Sequence, residues 1–196
     1  MSPVIYTEIT NPVYAQNTSH KSNPTFKLTD LFLNYEKLPE DLRDRNVFKV
    51  RFYCLRIDPQ DTKEIVQAMC PKCKECYSCK DLGNKGEGRC KPCQVECRLV
   101  YKMQMLVKDA TSQMNKNFYR LLLFSGVNED DTEEGVSNFF TGVPGGKPAN
   151  LYKNEEALSV VEKHVRLMLR YNVWIDALIE RKGVFFLLKD TQIKNL

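Results

Sequence analysis

The chain has 196 residues, with 29 lysines and arginines against 25 aspartates and glutamates, a net charge of +4. That length suits one core of good size and leaves little for a second domain, and so small a charge does not by itself argue for nucleic acid. No apolar run is long enough to cross a bilayer, Leu121–Phe124 and Val184–Leu188 being strand-sized, so a membrane partner is excluded and a soluble protein of a reducing compartment is expected.

Residues 1–24 are rich in Asn, Ser, Thr and Pro without any period, which predicts a flexible or surface-packed arm ahead of a folded domain over 25–196. Leu28, Leu31, Phe32 and Tyr35 predict a short helix over 28–38, started by Thr29 and ended by Pro39. Phe48, Val50, Phe52 and Cys54 alternate with Lys49, Arg51 and Tyr53, the pattern of a half-buried strand in which Cys54 is an ordinary core thiol. Pro59-Gln60-Asp61 reads as a turn and Ile65–Met69 as a second strand. Val95–Lys108 follows as a long third strand with Leu99, Tyr101, Met103, Met105 and Val107 in one phase. Asp109–Gln113 turns the chain, and Phe118–Ser125 returns as a fourth strand whose three leucines predict burial on both faces. Asn154 before Glu155 and Glu156 starts a helix with Leu158, Val161, Val165 and Met168 on one side. Val173–Glu180 and Val184–Lys189 close the chain as a hairpin turning at Gly183.

The eight cysteines carry the chemistry. Cys70-Pro71-Lys72-Cys73 and Cys90-Lys91-Pro92-Cys93 are two C-x-x-C pairs separated by sixteen residues, a spacing that lets four thiolates surround one structural Zn2+. The stretch 70–97 also holds Cys76, Cys79 and Cys97, so other sets of four stay open, although proline inside both knuckles and the turn-rich segment between them favour Cys70, Cys73, Cys90 and Cys93. A disulfide framework is disfavoured, because the cysteines cluster instead of spreading along the chain and no apolar leader segment is seen. From Cys70 to Lys108 nine Lys/Arg face four acids. A tetrathiolate zinc centre of about −2 offsets part of that excess, leaving a modest basic surface. Glu129–Glu134 is an acidic segment that would repel a phosphate backbone.

Taken together the elements predict a mainly β fold with flanking helices: a five-stranded Greek-key OB-fold barrel, its helix between the third and fourth strands and a zinc knuckle at 70–97 inserted near the first two. The layout resembles the C-terminal zinc-containing OB-fold of the protection-of-telomeres family. More distantly, it is similar to the equivalent fold of the replication protein A large subunit and its telomerase-associated paralogues. The likeness rests on Cys70-Pro71-Lys72-Cys73 directly after the second strand, on Cys90-Lys91-Pro92-Cys93, on the strand Tyr101–Asp109 with its Thr111/Ser112 turn, and on the last strand ending Leu188-Lys189-Asp190-Thr191. Animal members carry a nuclease-like insert between the cysteine pairs, where this chain has only sixteen residues. The resemblance implies a nuclear protein of chromosome ends that docks an adaptor subunit of a telomere-protecting, shelterin-like complex, or one that contacts single-stranded telomeric DNA directly.

For docking, the helix is apolar on nearly two sides, and Val160, His164 and Leu167 with the sole tryptophan, Trp174, are the candidate partner residues. For DNA, stacking rings beside phosphate-tracking cations are needed, and Tyr101, Lys102, Tyr119 and Arg120 are the candidates. Catalysis and a small-molecule substrate are not expected. Both histidines are distant from the knuckle in sequence, no H-x-E motif precedes the cysteines, and the Gly142–Gly146 connector lacks the Lys-Ser/Thr of a phosphate loop.

Overall fold

The computed structural model describes residues 7–8, 25–82, 88–110, 117–124, 148–170 and 173–195, with the backbone alone at 7–8 and 190–195. The elements are β1 Thr7–Glu8, α1 Leu28–Leu33, α2 Glu40–Arg43, β2 Val47–Asp58, β3 Val66–Met69, β4 Cys76–Ser78, β5 Arg98–Lys108, β6 Tyr119–Phe124, α3 Glu155–Met168, β7 Val173–Lys182 and β8 Phe185–Asn195. Five of the strands close into a barrel in the order β2, β5, β6, β8, β7 and back to β2. All the seams are antiparallel except β6 with β8, which meet in parallel at Leu122 and Leu187. With α3 between the third and fourth barrel strands, this is the connectivity of an OB-fold.

Alternation explains why these segments close. On β2, Phe48, Val50, Phe52, Cys54 and Ile57 point into the barrel, and a bulge between Cys54 and Arg56 shifts the phase and turns Leu55 outward. On β5, Tyr101, Met103, Met105 and Val107 do the same, meeting Leu121 and Leu123 of β6 and Ile175, Ala177 and Ile179 of β7 in one core. Each large side chain sealed there contributes roughly 1.5–3 kcal/mol over exposure. Phe32 of α1 packs on Tyr119 and Phe186 at ring distances of 4.9 and 4.6 Å, and Phe26 meets Phe48 edge-on at 5.3 Å. The other helix, α3, buries Ala157, Val161 and Met168, and lies against the 3-10 turn Thr62–Ile65, β2 and β7. Across β2 and β7, Asp176 is buried and accepts two bonds from Arg51, at 2.5 and 3.0 Å.

Several local expectations are corrected. The predicted helix 28–38 is α1 followed by a 3-10 turn at Tyr35–Lys37, and Thr29 does not cap it. Lys27 is at the N-cap position, the Asp109 carboxylate accepts the Leu28 N–H at 2.7 Å, and the Thr29 hydroxyl bonds the Tyr119 hydroxyl at 2.8 Å. Pro39, expected to stop the helix, is the N-cap of α2. The segment 65–69 divides into the end of a 3-10 turn, capped by Asp61, and β3. The third strand starts at Arg98 rather than Val95. On β6 only one face is fully buried: Arg120 is exposed, and Leu122 and Phe124 are half-buried. The short strands β1 and β4 were not anticipated. The Thr111/Ser112 turn, the acidic segment 129–134, the 142–146 connector and most of the arm lie outside the described residues.

Candidate metal centre and interaction surfaces

The two C-x-x-C segments fold as copies of one turn. Lys74 N–H reaches Cys70 O and Cys70 N–H reaches Glu75 O, both at 2.9 Å; Gln94 N–H reaches Cys90 O at 2.8 Å and Cys90 N–H reaches Val95 O at 2.9 Å. In each copy the residue after the second cysteine is left-handed, with φ of 62° at Lys74 and 56° at Gln94. Side chains in that region carry about 1 kcal/mol or more of strain, which persists only where surrounding structure imposes it. Here it accompanies the paired backbone bonds of each turn and the convergence of the sulfurs they carry.

The thiols of Cys70, Cys73, Cys90 and Cys93 all lie within 4.8 Å of one another, and Cys73 Sγ is 3.6 Å from Cys90 Sγ. A tetrahedron with metal–sulfur bonds of about 2.3 Å has edges of about 3.8 Å, so the four could hold one metal ion with every position filled by sulfur. Such a shell leaves no position for a substrate, and its chemistry is structural. Burial resists ionisation at Cys70, but N–H groups of Cys73 and Lys72 and the thiols of Cys73 and Cys90 bring it down to about 6. Burial first, then the neighbouring sulfurs, pushes Cys93 up to about 12. Among the described residues, the alternates Cys76, Cys79 and Cys97 stay outside this group of four. Cys79 is sealed in the core and Cys76 is on β4. Cys54, also in the core, is pushed up to about 12 by burial.

Sequence reasoning missed Tyr77. Its hydroxyl donates to Glu75 Oε2 at 2.6 Å and lies 3.5 Å from Cys90 Sγ, beside the four clustered thiols. Its position inside the Cys76-Tyr77-Ser78-Cys79 run was the available signal.

The candidate partner residues on α3 are all half-buried, and Val160 and Leu167 pack against the core. His164 Nδ1 lies 2.9 Å from Val160 O, within the helix. Trp174 is half-buried on β7, edge-on to Tyr53 at 5.4 Å. The candidate DNA residues separate by face. Tyr101 is 0 % and Tyr119 5 % exposed, so both rings are core and present no face to a base, whereas Lys102 and Arg120 are exposed on the outer sheet.

Register places other groups beside those two cations. Arg56 pairs with Leu106 and Leu106 with Arg120, and the next outward rows are Asp58–Gln104–Leu122 and Lys102–Phe124. A groove of about 590 Å³ runs over this face to the β7–β8 turn, lined among others by Lys102, Leu122, Phe124, Lys182 and Phe185. At the turn, Gly183 takes φ +60°, which suits a residue without Cβ, and Val184 is 83 % and Phe185 58 % exposed. On the other side of the turn a cleft of about 320 Å³ is bounded by Val184, Gly183, Phe186 and the α1 residues Phe32 and Leu33. Three large apolar side chains, Leu33, Val184 and Phe185, are thus left uncovered around one hairpin tip.

No family profile matches the chain. It is similar to the telomere-binding protein subunit alpha of Stylonychia mytilus, 34% identical over 193 residues and 98% of this chain, and to that of Sterkiella nova, 31% identical over 193 residues. It is also 30% identical over 189 residues to the telomere-binding protein homolog of Euplotes crassus. The chain spans about a third of the length of these relatives, 34%, 33% and 33% respectively.

Proposed function

We propose that this chain is a non-catalytic module of a telomere end-protection protein, related to the protection-of-telomeres family, which works at chromosome ends in the nucleus by docking an adaptor subunit of the telomere-protecting complex. The observation that carries this reading is likeness along 98% of the chain to proteins named as an alpha subunit, a name that implies companion subunits. Zn2+ is the ion that suits the centre, since four thiolates in a closed tetrahedral set are a characteristic structural zinc shell. When bound, it would clamp the insert without taking part in any reaction.

The docking surface best supported is the β7–β8 tip with the cleft beside α1. Val184, Phe185 and Leu33 expose apolar area that the barrel itself does not use, while Val160 and Leu167 on α3 are partly spent on the core. A second reading, direct contact with telomeric single strands, is favoured by the outward rows. There Arg56, Lys102 and Arg120 could follow phosphates, and Phe124 and Phe185, in place of the buried tyrosines, could stack on bases.

The test titrates the zinc-loaded chain separately with the purified companion subunit and with telomeric single strands, at about 50 and about 200 mM salt. Docking predicts subunit binding that falls tenfold or more in Val184→Asp and is nearly indifferent to salt. Tight strand binding that falls steeply with salt and is weakened by Arg120→Ala, without subunit binding, would replace docking with the second reading.

A further inference from the structure

We propose that Asn150 is a positioning residue that couples the four-cysteine centre to helix α3, so that metal occupancy sets the order of the helix start. The inference rests on the reading that Cys70, Cys73, Cys90 and Cys93 hold an ion. The path begins in the segment between the two knuckles. After Cys73 the chain pairs as β4 with β3, through Met69–Cys76, Ala68–Tyr77 and Gln67–Ser78, and then turns inward at Cys79. Cys79, one of the thiols left over from the metal set, is 0 % exposed and faces the core.

From there the connection passes to a distant part of the sequence. Asn150 is itself 0 % exposed, and its side-chain amide donates to Cys79 O at 3.1 Å and to Leu82 O at 3.3 Å. Its Oδ1 accepts the Tyr152 N–H at 3.1 Å, and its backbone carbonyl accepts the Lys153 and Asn154 N–H groups, both at 3.0 Å. Asn154 then caps α3 by accepting the Ala157 N–H at 2.9 Å. A second tie runs parallel to the first: Glu64 Oε1 accepts from the Ser78 hydroxyl at 2.7 Å and from the Tyr152 hydroxyl. The turn that launches α3 is thus built on the carbonyls of Cys79 and Leu82, which follow the three residues of β4.

A buried amide whose acceptors move away carries a large desolvation penalty, so the launching turn follows the insert. The ion clamps the insert at Cys73 and Cys90, on either side of Cys79 and Leu82. Loss of the clamp loosens those carbonyls, and through Asn150 it loosens the first turn of α3. The barrel seams, which do not pass through Asn150, are spared.

The experiment combines native mass spectrometry, to count bound zinc, with amide hydrogen exchange of wild type and Asn150→Ala, each before and after chelation. In wild type, chelation is expected to speed exchange at Ala157 and Leu158 tenfold or more while the β2–β7 amides stay protected. Asn150→Ala is expected to keep one zinc, to show the same fast exchange at α3 with zinc bound, and to respond little to chelator. Tyr152→Phe, which cuts only the second tie, should give a smaller version of the same change. Zinc bound to a wild type whose α3 ignores chelation would overturn the coupling and leave the metal reading intact. So would equal loss of protection in β2, β7 and α3, which would mean global unfolding. A wild-type chain purified and reconstituted without bound zinc would overturn the metal reading itself.

Discussion

The barrel and the cysteine insert are stabilised by different physics, although β3 joins them by pairing with β4 of the insert and β5 of the barrel. The barrel closes through alternating side chains, and its inward residues from Phe48 on β2 to Leu188 on β8 form one continuous apolar cluster. Among the described residues, the insert from Cys70 to Cys97 gives the core Cys79, with Leu82 and Cys97 packed against it. It is shaped instead by two copied turns, with left-handed Lys74 and Gln94, that bring four sulfurs together. One region stands on burial that no single atom controls, and the other on four converging thiols that could hold a single ion. They should therefore fail separately, and each can be attacked without the other.

The largest effect is expected from Cys73→Ser or Cys90→Ser. Losing one thiolate forfeits much of an ion-binding free energy of roughly 10 kcal/mol, read by competition with a chromophoric chelator. Circular dichroism should show the barrel strands retained; their loss would mean that the two regions fail together. Phe52→Ala attacks the other side. It should cost about 3–5 kcal/mol in urea unfolding while zinc stoichiometry is unchanged. Asp176→Ala removes the buried acceptor from the exposed half of Arg51 and should cost about 1–3 kcal/mol, again without touching the metal.

Alkaline titration gives a smaller, graded effect. Burial raises the Cys54 thiol from 9.0 to about 12, so the folded chain holds its proton where the unfolded chain has lost it. That contribution is fully present below pH 9 and declines as pH rises toward 12, by on the order of 1 kcal/mol over the first unit. Cys54→Ala should flatten the slope between pH 9 and 10. The smallest effect on stability is expected at Val184→Ser, within about 0.5 kcal/mol, because that side chain touches little of the fold. Its effect should appear in partner affinity alone.

What could be read from the sequence follows the same division. Period-two burial exposed β2, β5 and the β7–β8 hairpin, and the Asn154 cap with its acidic first turn marked α3. The C-x-x-C spacing picked the four thiols that converge, because a knuckle is a local turn whose geometry travels with its spacing. Residues whose roles depend on distant partners stayed hidden. Asp109 serves Leu28 across the fold, and Asn150 serves Cys79 and Leu82, and neither carries a local pattern. Tyr101 and Tyr119 share their phase with core neighbours, and that phase buries both rings. The placing of Phe124 and Phe185 is not legible in the sequence, because exposure at a barrel rim depends on where the seam between β6 and β8 falls.

That seam has a consequence of its own. Among the described residues, every other pair of barrel neighbours is stitched through at least five matched positions, whereas β6 and β8 pair as a ladder at Leu122 and Leu187 alone. A cylinder with one loosely sewn side breathes there first. Amides of β6 facing that side should exchange with solvent well before those of β7, and a guest wedged into the opening would widen a gap the fold already tolerates instead of tearing a finished wall.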